Sequence, residues 1–282
     1  MTFDLAHLQT WIGRSVRVDD VATPVPLQAL TATLDRDDPP APGQPIPPLW
    51  HWLYFLPLHR QSEIGADGHP ARGGFLPPVP LPRRMWAGSR LEFRAPVLAG
   101  QALSRSSRIG DVRLKEGRSG SLVFVKVQHE ISAEGRLAIA EEHDIVYREL
   151  AVAGEPAPAG VAAPDNAQWT RRITPDDVLL FRYSALTFNG HRIHYDRRYV
   201  TEVEGYPGLV VHGPLIATLL MDLLRRERPE AQVTHFAFKA VQPIFDTAPF
   251  EVCGRMEDER HVRLWARTPD GHVAMDASAT LA

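Results

Sequence analysis

Apolar and polar residues alternate most clearly between residues 89 and 147. Glycine-containing turn signals interrupt this region at Gly100, Gly110, Glu116-Gly117 and Glu134-Gly135. The segments that they separate are rich in Val, Ile and Phe, and they cover 91–97, 101–109, 120–131 and 137–147. A period of two residues is typical of strands that bury one face, and short turns join antiparallel neighbours. The pattern therefore predicts an antiparallel meander of four strands.

The region before this meander combines predicted helices with irregular stretches. Residues 5–34 predict two helices joined by a turn. Residues 39–48 are rich in proline and predict a stiff connector, which leads into an aromatic run over 49–56. That run is too short to cross a bilayer, so we interpret it as core. Residues 65–88 predict a long irregular loop, and loops of this length are often functional.

The end of the chain repeats the β pattern. Residues 236–240 echo 91–97, and the turn at Asp270-Gly271 echoes the turn at Glu134-Gly135. Each copy accompanies a predicted helix, so each half reads as one helix wrapped by an antiparallel sheet. Two such sheets can join edge to edge as one continuous sheet, which protects edges that would otherwise be exposed.

Between the two copies, the composition changes to Ala, Pro and Gly, as expected of an interdomain linker. The expected division is an N-terminal half over 1–149, a linker over 150–168 and a C-terminal half over 169–282.

A histidine-bearing loop and an apolar helix follow one another within residues 181–224. Val210-Val211-His212-Gly213 reads as a short strand or turn, and Pro214 then opens a helix that is apolar nearly all round. Pro at the first helical position, with Gly just before it, leaves an unshielded N–H at the helix start. Because a helix N-terminus favours negative charge, Gly213 is a candidate oxyanion donor with an acid/base histidine upstream.

Composition excludes several classes of function. The 282 residues carry a formal charge of −3 with nearly balanced acids and bases, which gives no sign of a nucleic-acid-binding face. The single cysteine, Cys253, excludes an intrachain disulfide and a cysteine-based zinc site. We see no signal peptide and no run of eighteen apolar residues, so we expect no membrane contact and a cytoplasmic location.

Two motifs resemble the MaoC-like hydratase family of the hot-dog fold. That family has an Asp-x-Asn-Pro-x-His motif and then an Ala/Val-His-Gly-Met step into its central helix. Here Asn189-Gly190-His191-Arg192-Ile193-His194 keeps the first spacing, and Val211-His212-Gly213-Pro214 stands for the second. Residues 181–196 and 73–88 more closely resemble the branch of type 2 hydroxyacyl-thioester dehydratases. The resemblance extends from about Pro47 to the end of the chain.

This resemblance implies an α+β fold, a double hot dog in which two helix-wrapped antiparallel sheets form one continuous sheet. The C-terminal half would keep the catalytic site, while the N-terminal half lacks the Asn/Asp-to-His motif and would help to form the acyl pocket. The implied activity is the reversible addition of water to the double bond of a 2-enoyl thioester. It needs no metal and no cofactor, since coenzyme A belongs to the substrate.

Each implied catalytic role falls on a residue type that suits it. His194 can exchange the protons of water and of C2, because histidine titrates near neutrality. Asn189 replaces the Asp of the wider family, so its amide can orient water but cannot accept the proton. Gly213 would stabilise enolate-like charge on the thioester carbonyl. We interpret Asp196 as the N-cap of a short helix rather than as a second carboxylate base.

The branch includes hydratases of mesaconyl-C4-CoA and itaconyl-CoA, which implies a short branched dicarboxylic enoyl-CoA that is hydrated to citramalyl-CoA. Such a substrate needs a counter-charge, for which Arg192, Arg83 and Arg84 are candidates. Arg83 and Arg84 could instead bind the phosphates of coenzyme A, and all three could be solvated surface charges. The other residues expected at the substrate are His191, His212 and Val211. For His212, a structural role in the turn before the helix is the alternative.

Other functions remain open at this point. His191, His194 and His212 could form a metal site, although no carboxylate or cysteine completes a ligand set. A hot-dog acyl-CoA thioesterase would need a carboxylate base or nucleophile, and Asn189 argues against it. A non-catalytic acyl-binding module and a 3-hydroxyacyl-thioester dehydratase of fatty-acid metabolism are further alternatives. The sequence also leaves open the acyl carrier, the stereochemistry at C3 and whether the chain forms a homodimer.

Overall fold

A computed structural model describes residues 4–117, 120–149 and 159–282. Within these ranges the strands are β1 (Ser15–Val21), β2 (Arg83–Phe93), β3 (Ala102–Gly117), β4 (Gly120–Ala133), β5 (Arg136–Arg148), β6 (Trp169–Ile173), β7 (Val233–Ala240), β8 (Phe250–Met256), β9 (His261–Arg267) and β10 (Val273–Leu281). The α-helices are α1 (Leu5–Gln9), α2 (Pro24–Thr33), α3 (Asp177–Leu186), α4 (Arg197–Glu202) and α5 (Gly213–Glu227).

The strands of the described residues form one antiparallel sheet in the order β1-β3-β4-β5-β2-β7-β10-β9-β8-β6. Read outward from the β2–β7 pair, the two halves have the same arrangement, because β5, β4, β3 and β1 on one side match β10, β9, β8 and β6 on the other. The central pair runs from Gly88↔Lys239 to Glu92↔His235. The predicted continuous sheet is therefore confirmed, and the pairing covers one edge of each half.

The predicted repeat and its turns are also confirmed. Gly135 connects β4 to β5 with φ 76°, and Gly271 connects β9 to β10 with φ 80°. A residue with a side chain rarely adopts such left-handed angles, so both copies need glycine at the same place. The predicted meander corresponds to strands β2 to β5, which pair in sequence except that β2 lies on the far side of β5.

Helix α5 is the most deeply buried helix of the described chain, because each residue from Leu215 to Leu224 is buried. It packs against β6, β8, β9 and β10. On the other side of the core, α2 packs against α3 and the short 3-10 turn Trp50–Leu53. Trp50 and Phe55 are buried, which confirms the aromatic run as core.

Three predictions about the first half are wrong. Residues 15–21 form strand β1 instead of a turn between helices, because this exposed edge strand has little apolar signal. The expected turn at Gly110 is a bulge, where the pairing of β3 with β4 shifts register between Ile109 and Asp111. The predicted irregular loop ends at Pro82, because Arg83 begins β2, which pairs with β5.

Part of the predicted linker, residues 150–158, lies outside the described residues. From Val161 onward the chain runs beside the start of β10, since Val273 N–H donates to the Val161 oxygen at 2.8 Å. The exact domain boundaries stay a prediction. Every helix in the described ranges falls short of the length and apolarity that a membrane span requires.

A buried carboxylate on α5 fastens the two halves together. The Asp222 side chain is 1% exposed, and it pairs with Arg36 at 3.1 Å, Arg171 at 2.7 Å and Arg226 at 2.8 Å. Arg36 follows α2 in the N-terminal half, whereas Arg171 belongs to β6 in the C-terminal half. A buried charge is stable only when it is paired, so these arginines and Asp222 depend on one another.

We expect Asp222→Ala to lower the free energy of unfolding by about 3 kcal/mol, because it leaves three guanidinium groups without their shared partner. Urea unfolding followed by circular dichroism measures the change. Asp276→Ala is the control, because the Asp276 side chain is half exposed and its ion pair with Arg263 is longer, at 3.4 Å. This control should change the unfolding free energy by less than about 0.5 kcal/mol. Equal losses in the two variants would contradict the role of Asp222.

Candidate active site

Both halves of the chain contribute to one cavity of about 570 Å³. Ser184, Asn189 and Pro214 line it from the C-terminal half, and His69 and Arg105 line it from the N-terminal half. Its mouth and floor differ in exposure. Exposed lining residues include Pro57, His59, Phe181, Phe188 and Tyr195, and buried ones include Tyr54, Phe55, Tyr183 and Ser184. A ligand can therefore enter past exposed, mostly apolar or aromatic side chains and reach buried ones inside.

His194 is not among the residues that line this cavity, but its chain neighbour Tyr195 is. His194 lies in the short 3-10 turn Arg192–His194. Its Nδ1 donates to the backbone oxygen of Val210 at 2.7 Å. Because a carbonyl only accepts, this bond keeps the proton on Nδ1 and leaves Nε2 as a free base. Burial lowers the pKa of His194 to about 4, so the ring is neutral near pH 7. The fold therefore supplies an unprotonated imidazole of fixed orientation.

His212 supports the ring of His194 from below. The two rings stack at 3.8 Å with an interplanar angle of 18°, and His212 Nε2 is 2.8 Å from the hydroxyl of Ser184. His212 is fully buried, whereas His194 keeps 8% of its surface exposed. Only His194 of this pair can therefore meet a ligand. Burial also holds the pKa of His212 well below its ordinary value, so it adds no positive charge to the stack.

Helix α5 begins at the wall of the cavity. Gly213 is its first residue, and the next residue, Pro214, lines the cavity. A Cβ added to Gly213 would meet only the backbone oxygen of Trp86, at 3.9 Å, so protein atoms leave this space open. The first N–H groups of a helix have no acceptor within it and favour negative charge. The arrangement can place an anionic oxygen at the start of α5.

A loop of the N-terminal half is fastened to the loop that carries the histidines. Arg192 N–H donates to the Asp67 oxygen at 2.9 Å, and Arg192 Nη1 donates to the Ala66 oxygen at 3.0 Å. Gly68 has φ +87°, and a Cβ there would lie 1.8 Å from the Gly190 oxygen. The two backbones can touch only because position 68 is glycine.

This contact brings an Asp–His pair to the site. Asp67 Oδ2 accepts from His69 Nδ1 at 3.0 Å, and Asp67 Oδ1 accepts from the His69 backbone N–H at 3.0 Å. Burial by itself would raise the pKa of Asp67, but the hydrogen bonds from His69 outweigh it and lower the pKa below its ordinary value. An ionised Asp67 keeps the proton of His69 on Nδ1, so His69 presents Nε2 as an acceptor.

Four imidazole rings thus form a row from the cavity wall to the start of α5. His69 lines the cavity and lies 3.9 Å from His191, which meets His194 edge-on at 5.4 Å, and His194 stacks on His212. Burial lowers the pKa of His69, and it lowers the pKa of His191 to about 2. The row is therefore neutral at neutral pH, which lets the rings pack without repulsion.

The structure brings together a different set of possible metal ligands from the three histidines that the sequence suggested. The parallel rings of His194 and His212 direct their in-plane lone pairs side by side, so they do not converge with His191 on one ion. Asp67, His69 and His191 instead present ligand atoms within 4.8 Å of one another. Because Asp67 already accepts two hydrogen bonds from His69, an orienting pair accounts for this cluster without an ion. That no metal takes part stays a prediction.

Asn189 lies where the sequence predicted, on the wall of the cavity. Its side-chain Oδ1 accepts from the backbone N–H of His191 at 3.0 Å, and its backbone N–H donates to the backbone oxygen of Ser184 at 2.8 Å. These bonds hold the loop in shape and commit the amide oxygen. The amide nitrogen is the group that Asn189 can offer to a ligand, and it is a donor only.

The predicted arginines do not line the cavity. Arg192 pairs with Asp196 at 2.7 Å and lies 4.2 Å from the Tyr199 ring. Arg83 pairs with Glu204 at 3.1 Å. Arg84 lies nearer the histidines, where its charge adds to burial in lowering the pKa of His69.

Val211 is also outside the cavity lining. It is buried, and its N–H donates to the Ile244 oxygen at 2.9 Å. The residue therefore shapes the approach to α5 from within the core. Asp196 accepts from the Tyr199 N–H at 3.0 Å and caps α4, which confirms its predicted capping role.

No sequence motif indicates the contribution of the N-terminal half to the cavity. Asp67, His69, Arg105 and His143 are all near the cavity, yet none belongs to the Asn-to-His motif. One signal was available for the first two, because Asp67-Gly68-His69-Pro70 falls in the loop that was expected to be functional. Arg105 and His143 gave no such signal, since each sits in a strand whose pairing brings it to the cavity.

A family model described as hydroxyacyl-thioester dehydratase type 2 matches residues 49–246. The chain is 48% identical over 278 residues to mesaconyl-C(4)-CoA hydratase of Chloroflexus aurantiacus, and the match covers 98% of each chain. A solved MaoC-like dehydratase superposes with a TM-score of 0.74 at 13% identity, over 97% of this chain and 99% of the other. A Mycobacterium tuberculosis protein with a double hotdog fold superposes with a TM-score of 0.61 at 12% identity, over 96% of each chain.

The chain therefore belongs to the family of type 2 hydroxyacyl-thioester dehydratases. Its α+β double hot dog, expected from the resemblance, is confirmed by the ten-stranded sheet of the described residues and by the structural neighbours. The protein is an enzyme of the hydratase and dehydratase type, a hydro-lyase, as the sequence predicted.

We expect Gly68→Ala to reduce hydratase activity at least tenfold, because its Cβ would push the His69 loop away from Gly190. Gly43→Ala is the matched control. Gly43 has a similar φ of +81°, but a Cβ there would meet nothing within 4 Å. Both variants carry the same backbone strain, so any difference in kcat/KM reports on the loop contact. Equal activity in the two variants would show that this contact does not serve the site.

We also expect kcat/KM to stay level from about pH 8 down to about pH 5 and to fall below that. Burial lowers the pKa of His194 to about 4. Nε2 therefore becomes protonated, and can no longer act as a base, only as the pH falls through that value. Initial hydration rates across this range, with circular dichroism at each pH to confirm folding, measure the profile. A loss of activity centred near pH 6.5 would contradict the buried, neutral His194.

Proposed function

We propose that the protein hydrates mesaconyl-C4-CoA, or the related itaconyl-CoA, to citramalyl-CoA. The observation that carries the reaction type is the His194–Val210 hydrogen bond, which leaves a free Nε2 beside the open start of α5. The substrate is supported by the 48% identity, across nearly the whole chain, to a relative named mesaconyl-C(4)-CoA hydratase.

In the proposed mechanism, the thioester oxygen lies at the start of α5. The N–H of Gly213 donates to it and stabilises the negative charge that develops as water adds to C3. Because this donor is held by the helix, it costs no reorganisation during the reaction. The open space beside Gly213 leaves room for that oxygen.

His194 takes the proton of the attacking water through Nε2 and then returns a proton to C2. Its Nδ1 stays bonded to Val210, so the ring cannot rotate away between the two steps. Asn189 positions the water through its amide nitrogen, since its oxygen is committed to His191. His69, oriented by Asp67, supplies a second acceptor at the cavity wall and takes the place of the carboxylate that the wider family uses.

Most of the other residues predicted at the site have structural roles in this proposal. His191 and His212 hold the row of rings in place, and Val211 shapes the turn before α5. Arg83 and Arg192 are occupied by Glu204 and Asp196, so we assign them to the architecture of the loops. Arg84 remains a candidate for the phosphates of coenzyme A.

A 3-hydroxyacyl-thioester dehydratase of fatty-acid metabolism is the second candidate, because the matching family model is described as hydroxyacyl-thioester dehydratase type 2, which names no particular acyl group. It would act on the same double bond with the same His194 and Gly213, so only the acyl group distinguishes it. We further propose a cytoplasmic enzyme that needs neither metal nor cofactor and that can form a homodimer. Coenzyme A then enters only as part of the substrate.

The test compares mesaconyl-C4-CoA and itaconyl-CoA with crotonyl-CoA and a long-chain enoyl-CoA. Hydration of the conjugated substrates is followed by loss of enoyl-thioester absorbance, and hydration of itaconyl-CoA, whose double bond is not conjugated to the thioester, by chromatography of the product. We expect the wild type to prefer the C4-carboxylated substrates, and His194→Gln to reduce kcat by at least about a thousandfold, because it removes the base. Free thiol is followed in the same samples, and none should be released.

His235→Gln is the control variant, since His235 is exposed on β7 and far from the cavity lining. It should keep full activity. A preference for long-chain substrates would move the enzyme to fatty-acid metabolism, and thiol release without hydration would make it a thioesterase. Full activity in a folded His194→Gln would remove His194 from the mechanism.

A further inference from the structure

Arg105 stands out among the side chains that line the cavity. It lies on β3, in the N-terminal half, on the same cavity as Asn189 and Pro214. Its Nη2 is 3.4 Å from the Phe55 oxygen, and the guanidinium lies 5.1 Å from the Phe55 ring. Its Nε is buried and has no hydrogen-bond partner within the described part of the chain.

Two acidic side chains lie near Arg105, but other donors already occupy them. Glu141 accepts from Trp52 at 3.0 Å, and each of its oxygens contacts a histidine, His143 at 2.7 Å and His51 at 3.1 Å. Asp20 accepts from the backbone N–H of Phe55 at 2.6 Å and of Val21 at 2.7 Å. Neither carboxylate is within 4.0 Å of the Arg105 guanidinium. Arg105 therefore lacks a direct counter-ion among the described residues.

Several other half-buried arginines of the described chain are paired with carboxylates. Arg36 and Arg171 share Asp222, and Arg83 pairs with Glu204. Leaving a guanidinium partly buried without a carboxylate costs free energy, because desolvation is not repaid by a close partner. Burial lowers the pKa of Arg105, and the charges of Glu141 and Asp20 only partly offset this effect.

The backbone beside Arg105 is held in an unfavourable conformation. Phe55 has φ 58°, a left-handed angle that is unfavourable for a residue with a side chain. The hydrogen bond from Phe55 N–H to Asp20 keeps it there, while its ring packs against Arg105. The surroundings therefore hold the guanidinium in place beside the cavity rather than letting it turn to solvent.

An aromatic wall connects Arg105's side of the cavity with the start of α5. The Trp86 oxygen is the nearest atom to the position that a Gly213 Cβ would occupy, and the Trp86 ring stacks on His143 at 4.0 Å. Trp52 meets Trp86 at 5.1 Å and lines the same cavity. A short acyl group that lies along this wall can hold its thioester at Gly213 while a second polar group faces the N-terminal half.

We propose that Arg105 binds the free carboxylate of a dicarboxylic enoyl-CoA and so selects such substrates over uncharged acyl groups. This inference rests on the proposed function and deepens it. A guanidinium presents paired N–H donors that match the two oxygens of a carboxylate, and Arg105 lines the cavity without a carboxylate partner of its own among the described residues. The residue acts in binding and orientation, while the protons move at His194.

The experiment measures kcat/KM for mesaconyl-C4-CoA and for crotonyl-CoA, which lacks the carboxylate, in wild type, Arg105→Gln and Arg105→Lys. We expect Arg105→Gln to lower the value for mesaconyl-C4-CoA by about tenfold to a hundredfold, the range for a charged hydrogen bond. The value for crotonyl-CoA should stay within about twofold of wild type. Arg105→Lys keeps the charge but not the paired donors, so its loss on mesaconyl-C4-CoA should be intermediate.

Arg108→Gln is the matched control, because Arg108 lies on the same strand and is exposed away from this cavity. It should leave both values unchanged. Thermal unfolding of every variant separates loss of binding from loss of fold. If Arg105→Gln does not fold, the comparison of Arg105→Lys with wild type on the two substrates decides.

The outcomes separate this inference from the function on which it rests. A selective loss on mesaconyl-C4-CoA supports it. Equal losses on both substrates, unchanged selectivity, or a selectivity that follows Arg84→Gln instead would overturn it while leaving the hydratase proposal intact. If wild type hydrates crotonyl-CoA but not the carboxylated substrates, the proposed substrate fails first, and the role of Arg105 fails with it.

Discussion

The antiparallel pairing of β2 with β7 is the constraint on which the rest of the structure depends. It joins two five-stranded halves into one sheet, so side chains from both halves face a single cavity. The C-terminal half supplies the histidine loop and the start of α5. The N-terminal half supplies the loop with Asp67 and His69, together with Arg105. Both halves therefore contribute to the candidate site, although only the C-terminal half carries the Asn-to-His motif.

Burial sets the chemistry of the histidine row. In water these rings would titrate near pH 6.5, and several positive charges would repel one another at contact distance. Burial lowers the pKa of His69, His191, His194 and His212, so they pack as neutral rings. Each ring is then oriented by one acceptor or neighbour, and His194 gains a free Nε2 because Val210 holds its other nitrogen. The same desolvation that costs stability thus keeps His194 neutral, as its proposed role as a base requires.

The buried and half-buried charged residues of the described chain fall into two groups, those paired within the protein and those without a direct partner. Asp222 is surrounded by three arginines and fastens the halves together, whereas Arg105 lies beside carboxylates that are already satisfied. The first arrangement completes itself and is structural. Arg105, in contrast, gains a carboxylate partner only when a ligand brings one. The missing partner of Arg105 is thus connected with the proposed choice of substrate. Arg83 and Arg192 belong to the first kind, although their place in the sequence suggested the second.

The sequence by itself determined the local elements and the motif. Alternating apolar residues predicted the meander, the repeated turns predicted the second copy, and the spacing from Asn189 to His194 with the Gly213 step predicted the candidate site, because each of these signals is contained in a short stretch of sequence. The edge strand β1 was not predicted, because it buries little apolar surface and so has a weak apolar pattern. Only the tertiary structure decided which side chains from distant segments share the cavity. Asp67 and His69 depend on the contact between Gly68 and Gly190, and Arg105 depends on sheet pairing, so their roles follow from long-range packing that no local pattern encodes.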